Sequence, residues 1–343
     1  MLKKTIRSII GPVRKALQGE AIFTKPSRTD AVTIKTAEKL NADYPRTRRG
    51  TVITVPKNPI ITAQSKVFAI GSCFAMEIRA ALKKRGIDVT PRYYDIKFDP
   101  LSQSLAGLPK HDDINHYDTF TILREFEMAF GVTKPAPNTW TVTSPGIKLS
   151  IDIKSDTLYQ DPRRKRIFAA TPDALSDLVS KVDSCIAAGI RDADIFIITL
   201  GLIETWRDKK TGQNLCMPPG KDQMNDSEFV FTGFQENFEN MRRVCALIRD
   251  HAPGKKIILT VSPVPLGKTF TGRDIVVANM ESKSLLRTVA GQIAREFGNV
   301  IYWPSYEIAM REDMFEDDGR HVTKSGVDKI IGAFMDAHLS GNS

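Results

Sequence analysis

The stretch Lys66 to Ile78 reads KVFAIGSCFAMEI. Val67 to Ile70 form an uninterrupted apolar run between a lysine and a glycine. Such a run reads as a short strand buried on both faces. Beyond Cys73 the period lengthens: Phe74, Ile78 and Leu82 recur at helical spacing, with Glu77, Arg79, Lys83 and Lys84 between them. Gly71-Ser72-Cys73 is therefore a strand-to-helix turn. A side chain there stands at the carboxyl end of a strand and faces the unpaired amides of a helix start. Those amides favour negative charge, on a nucleophile or on a developing oxyanion.

The same alternation recurs downstream. Gly86 to Val89 reads as a helix stop and a second strand, Ile195 to Leu200 and Lys256 to Val261 as buried strands, and Val300 to Trp303 as another. Helical periods run over Leu175 to Ala188, Thr232 to His251, Ala278 to Phe297 and Thr323 to Leu339. Buried strands separated by helices imply a three-layer α/β/α sandwich around a mainly parallel sheet. In such sheets ligands bind beyond the carboxyl ends of the strands. The turns after the strands at Gly71-Ser72-Cys73, Gly201 to Trp206 and Ser262 to Pro265 are thus expected around one crevice. Residues 92–175 interrupt the alternation and read as an insertion forming one wall of the site. It carries a helix over Asp118 to Phe130, a hairpin over Asn138 to Ile153 and the basic run Arg163-Arg164-Lys165-Arg166. That run is either a solvated face or a seat for an anionic group.

Near the other end, Asp318-Gly319-Arg320-His321 lies between the last strand and the last helix. A thiol or hydroxyl nucleophile needs a base, and an imidazole needs an acceptor that fixes its tautomer. Of five histidines, His321 alone sits in a loop bracketed by carboxylate and glycine ahead of a helix. His338 and His251 read as surface or capping residues, and His116 as a substrate contact.

Gly71-Ser72-Cys73-Phe74-Ala75 spells the motif that names the GSCFA family, and the chain resembles that family, which is distantly similar to the SGNH (GDSL-like) hydrolases. The resemblance spans about residues 60–340. It implies an SGNH-like sandwich with flavodoxin-like strand order and acyl-ester hydrolysis or transfer, on a carbohydrate, polysaccharide or other hydroxylated substrate. Without gaps, Cys73 takes the nucleophile position and Ser72 the place of an aspartate; a local shift would make Ser72 the nucleophile instead. Asp318 and His321 match the Asp-x-x-His of that superfamily. The middle block departs from it: Gly201-Leu202-Ile203-Glu204 stands where Gly-x-Asn-Asp is usual, so the oxyanion asparagine is missing. Gly201, the amides near Cys73, or Asn115 can replace it. Glu204 reads as a partner for a cation or a substrate-positioning group, and Trp206 as a sugar-stacking or wall-forming aromatic.

Other features bound the remaining choices. Residues 1–60 hold 13 Lys/Arg against 4 Asp/Glu, and the remaining 283 residues hold 36 of each. The net charge of +9 thus belongs to an N-terminal arm and lead-in, and the body (61–343) gives no electrostatic reason to expect nucleic acid. The first seventeen residues are basic and amphipathic. They read as an arm packed on the domain or, through residues 1–20, as a peripheral contact with an anionic membrane. Gly11-Pro12 breaks the helical run, and no small-residue cleavage site for a secretory signal follows. The expected place is the cytoplasm of a bacterium, at or near the inner membrane surface. Four scattered cysteines argue against a zinc site or disulfide framework, with Cys245 and Cys185 read as core filler, and no cofactor is expected. Acyl-CoA as acyl donor is a further expectation, with the basic run on its phosphates, although no Gly-rich phosphate loop is present. A non-catalytic glycan-binding or envelope-assembly scaffold at the membrane surface is the alternative to an enzyme.

Overall fold

A computed structural model describes residues 52–105, 114–134, 138–143, 155–164 and 166–340. The amphipathic arm lies outside them, as do the turn and the second arm of the hairpin expected over residues 138–153. The account that follows concerns the unit Val55–Ser343.

Strand β1 (Lys66–Gly71) is the second strand of a parallel sheet that also holds β2 (Asp88–Thr90), β7 (Ile195–Leu200), β11 (Lys256–Val261) and β12 (Val300–Trp303). The order across the sheet is β12-β11-β7-β1-β2, with every pair parallel. This is the flavodoxin-like order that the family resemblance implies. All six residues of β7 are buried, which is why its sequence carries no polar alternation.

Helices cover both faces. Helix α1 (Phe74–Lys84) packs on β1 and β2 and meets α7 (Lys324–His338), which also touches the short α6 (Ser305–Arg311). The other layer is α2 (Thr119–Ala129), α3 (Pro172–Asp192), α4 (Phe234–His251) and α5 (Ile275–Glu296). Its core includes Phe68, Ile70, Phe126, Phe196, Leu286 and Val289. Phe68 stands edge-on to Phe126 and Phe196, with centroids 5.9 and 6.1 Å away. Helix α2 therefore belongs to the core layer, although its sequence neighbourhood suggested a site wall. Its start is fixed by Asp118, whose Oδ1 accepts from the amides of Phe120 and Thr121.

Two small antiparallel sheets complete the unit. One is β3 (Gln103–Leu105), β6 (Ile167–Ala169), β5 (Leu158–Gln160) and β4 (Trp140–Val142), in that order. Trp140–Val142 pairs with Leu158–Gln160. The other sheet places β8 (Glu204–Asp208) between β10 (Ser227–Phe231) and β9 (Asn214–Leu215).

The two arginines that open the basic run, Arg163 and Arg164, are neither solvated nor an anion seat, and Lys165 lies outside the described residues. The Arg164 guanidinium is fully buried, with Nη2 2.6 Å from Glu125 Oε2 and Nη1 2.5 Å from Asp183 Oδ1. Arg163 is buried between Asp161 and Asp183. His338 also departs from its surface reading. It is buried against Trp303 and Phe334, and burial lowers its pKa.

The end of β1 fixes the rest. Gly71 has φ +133°, and a Cβ there would stand 2.1 Å from the Thr199 carbonyl oxygen of β7. Any side chain would push the two strands apart where the site begins. Gly71→Ala is expected to cost at least about 3 kcal/mol, from backbone strain and overpacking combined. Gly86 also has positive φ, but nothing lies within 4 Å of its added Cβ, and Gly86→Ala should cost only about 1 kcal/mol. Denaturant midpoints of the two variants measure the difference.

Candidate active site

Strand order reverses between β1 and β7: from β1 the chain goes to β2 on one side, and the later strands β7, β11 and β12 add on the other. A crevice at the carboxyl ends of such strands is the usual ligand site of an open α/β sheet. A cavity of about 370 Å³ lies there, with Ser72, Cys73, Tyr117, Phe270, Lys283 and Arg320 among its lining residues. Gly201 and Leu202 after β7 and Ser262, Val264, Pro265 and Leu266 after β11 line it too, so part of each expected turn reaches the same crevice. Glu204 and Trp206 fall in an adjacent depression that shares Tyr117, Leu202 and Phe270 with it.

Cys73 occupies the cap of α1 in helical conformation and is half-buried. Burial raises its thiol pKa above the ordinary value, opposed by Lys283, Arg320 and the amides of Cys73 and Phe74. The helix start therefore acts as the sequence suggests, and enclosure outweighs it. Ser72 is 2% exposed, and its Oγ lacks a hydrogen-bond partner among the described residues. A buried hydroxyl without a partner is costly, and its residue lines the cavity.

Lys283 has no counterpart in the sequence reading. Its ammonium is 1% exposed in α5, and Nζ donates to the Gly201 carbonyl at 2.8 Å. Burial lowers its pKa to about 7, with the Cys73 thiolate opposing the shift. The available signal was its phase: Lys283, Leu286, Ala290 and Ile293 share one buried helix stripe. A lysine in such a stripe needs a polar reason to be there.

The Asp318–His321 pair is formed. Asp318 Oδ2 lies 2.5 Å from His321 Nδ1, and its Oδ1 accepts from the amides of Arg320 and His321 at 2.9 Å. Those amides, and then the ring, hold the Asp318 carboxyl down at about 2. The His321 side chain is 65% exposed, and it does not line the cavity. Its neighbour Arg320 does, and Arg320 and Lys283 are the charges that act on Cys73.

The remaining candidates have other partners. The Gly201 amide donates to the Tyr117 carbonyl at 3.0 Å, so it is not a free oxyanion donor. Asn115 Nδ2 donates to the Tyr117 hydroxyl at 3.1 Å, and Asn115 does not line the cavity. Glu204 takes no cation. It accepts from the Thr269 hydroxyl and the Phe270 amide, fastening the loop after β11. Trp206 is buried against Phe270 and Phe229, a wall of the adjacent depression. His116 is wholly buried with Nε2 3.0 Å from Glu125 Oε1, so it is no substrate contact. Among the described residues no cluster of His, Cys, Asp and Glu could hold a metal ion, and no helix is long and apolar enough to cross a membrane.

Fold and site together define a doubly wound α/β protein with a cysteine and a buried lysine at its switch-point crevice, and an exposed Asp–His pair in the loop that brings Arg320 to that crevice. Residues 66–334 match the GSCFA family, and the chain belongs to it. Compared by sequence with curated proteins, it matches none. Among solved structures it is similar to a carbohydrate esterase family 3 from Talaromyces cellulolyticus, at 12% identity and TM-score 0.35, over 79% of this chain and 94% of that one. It is also similar to a structure described as a "putative platelet activating factor" from Streptococcus pneumonia, at 10% identity and TM-score 0.34, over 90% and 99%.

The buried amine makes a pH prediction. Between about 7 and the ordinary lysine value near 10.4, the unfolded chain carries the Lys283 proton and the folded chain does not. The unfolded state binds more protons there, so this group adds stability as pH rises through that window. Chemical denaturation of wild type and Lys283→Met from pH 6 to pH 10 is expected to show the wild type gaining relative to the variant as pH rises. A flat difference would contradict the depressed pKa.

Proposed function

We propose that the protein cleaves or transfers acyl esters through Cys73. The supporting observation is the cysteine at the cap of α1, lining a cavity with a buried lysine at the switch point of the sheet. In this reading Cys73 Sγ attacks the acyl carbonyl carbon and its proton passes to His321 Nε2. Asp318 at Nδ1 keeps that nitrogen an acceptor and stabilises the imidazolium. The ester C–O bond breaks, the imidazolium protonates the departing alcohol, and a thioester remains on Cys73. Water or a second hydroxyl then attacks the thioester carbonyl, gives its proton to His321, and releases the thiolate, which regains that proton. In this reading the amides of Cys73 and Phe74 at the start of α1, which favour the thiolate, also receive the oxyanion in place of the missing asparagine. Lys283 favours the thiolate against the burial that opposes it. The substrate in this reading is an ester of a carbohydrate or other hydroxylated compound.

The experiment is incubation with activated acyl esters, followed by peptide mass spectrometry. An acyl adduct on Cys73 is expected, lost in Cys73→Ala and retained in Ser72→Ala. His321→Ala should slow adduct formation by at least about 100-fold. An adduct on Ser72, or none with any ester, would sink the reading, the latter in favour of a binding-only protein.

A further inference from the structure

We infer that the cavity recognises an anionic group on its substrate, a carboxylate or a phosphate, held between Arg320 and Lys268 at the mouth with Lys283 at the floor. This substrate class rests on the acyl-ester reading of the same cavity.

Three basic side chains line this cavity, Lys268, Lys283 and Arg320, and among the described residues no carboxylate does. Lys283 is fully buried, while Lys268 and Arg320 are exposed. Among the described residues none of the three forms an ion pair within 4 Å, even though carboxylates are close in sequence to Arg320. Asp318 is taken by His321 and two amides, and neither Glu316 nor Asp317 lines the cavity. Glu204, in the adjacent depression, is satisfied by Thr269 and Phe270. The buried Arg163 and Arg164, by contrast, share three carboxylates. Positive charge unmatched by a carboxylate at the mouth of a cleft with largely apolar walls attracts an anion, because such walls focus the field into the cleft.

Two further features favour a ligand. Ser72 lines the same cavity, and its buried Oγ, without a partner among the described residues, keeps a donor for an oxyanion. The Arg320 guanidinium lies over Gly267, where an added Cβ would stand 3.0 Å from Nη2. The glycine thus admits the planar, bidentate group that suits carboxylate and phosphate.

The test reads binding through Cys73 without requiring turnover. Alkylation of Cys73 by neutral iodoacetamide is timed with succinate, with inorganic phosphate and with neutral succinamide, at constant ionic strength set by chloride. One or both anions are expected to slow labelling at millimolar concentration and succinamide to leave it unchanged. Which anion protects decides between carboxylate and phosphate. Arg320→Gln and Lys268→Gln, both at exposed positions where folding is little affected, should each raise the half-protecting concentration by about tenfold. Protection by succinamide equal to that by the anions, protection unaltered in both variants, or none by either anion would overturn the proposal. A protein that acylates Cys73 but ignores the anions fails this inference alone. One that is protected by anions but never acylated fails only the catalytic reading.

Discussion

The approach of two backbones at Gly71 is the constraint on which the site depends. Strand β1 ends against the Thr199 carbonyl so closely that no side chain fits, and the positive φ turns the chain into α1. That turn puts Ser72 and Cys73 between β1 and β7, where the strand order reverses. The Ser72 amide donates to Thr199 and the His116 amide to Gly71, so a third segment is tied to the same corner. Through Tyr117, whose carbonyl receives the amides of Gly201 and Leu202, that segment joins the turn after β7. Backbone hydrogen bonds, strong and obligatory in a buried place, hold the crevice in shape.

Beneath this corner lies a buried ionic cluster of His116, Glu125, Arg164, Arg163, Asp161 and Asp183. Arg164 pulls the Glu125 carboxyl below its ordinary range against the burial that raises it. Removing one partner from such a cluster leaves an uncompensated charge, which is costly. The cluster as a whole is weak evidence of net stability, because desolvation offsets much of the attraction. Its structural effect is specific all the same. It joins α2 and α3 to the loop at 161–164 and holds the 114–118 segment beneath the end of β1.

Within the crevice, enclosure and charge act against each other on the same two groups. Burial favours the neutral thiol of Cys73 and the neutral amine of Lys283, while their mutual attraction favours the ion pair. The helix amides add to the thiolate side. Neither group has an ordinary titration, and neither would be perturbed this way on an open surface.

The fold was legible in local pattern. Apolar runs without alternation, such as IFIITL at Ile195 to Leu200, are dictated by burial on both faces, and helical stripes by burial on one. The same local chemistry marked Gly71-Ser72-Cys73 as a strand-to-helix turn and put Asp318 three residues before His321. Tertiary structure decided what faces what. Arg163 and Arg164 are indistinguishable in sequence from a solvated run, and only the folded chain supplies the distant carboxylates that bury them. Lys283 is a charge on an apolar stripe until Gly201 and Cys73, from two other strands, meet it. Sequence fixes period and turn because these depend on neighbours in the chain. Pairing, burial of charge and the sign of a pKa shift depend on neighbours in space, brought together only when the sheet forms.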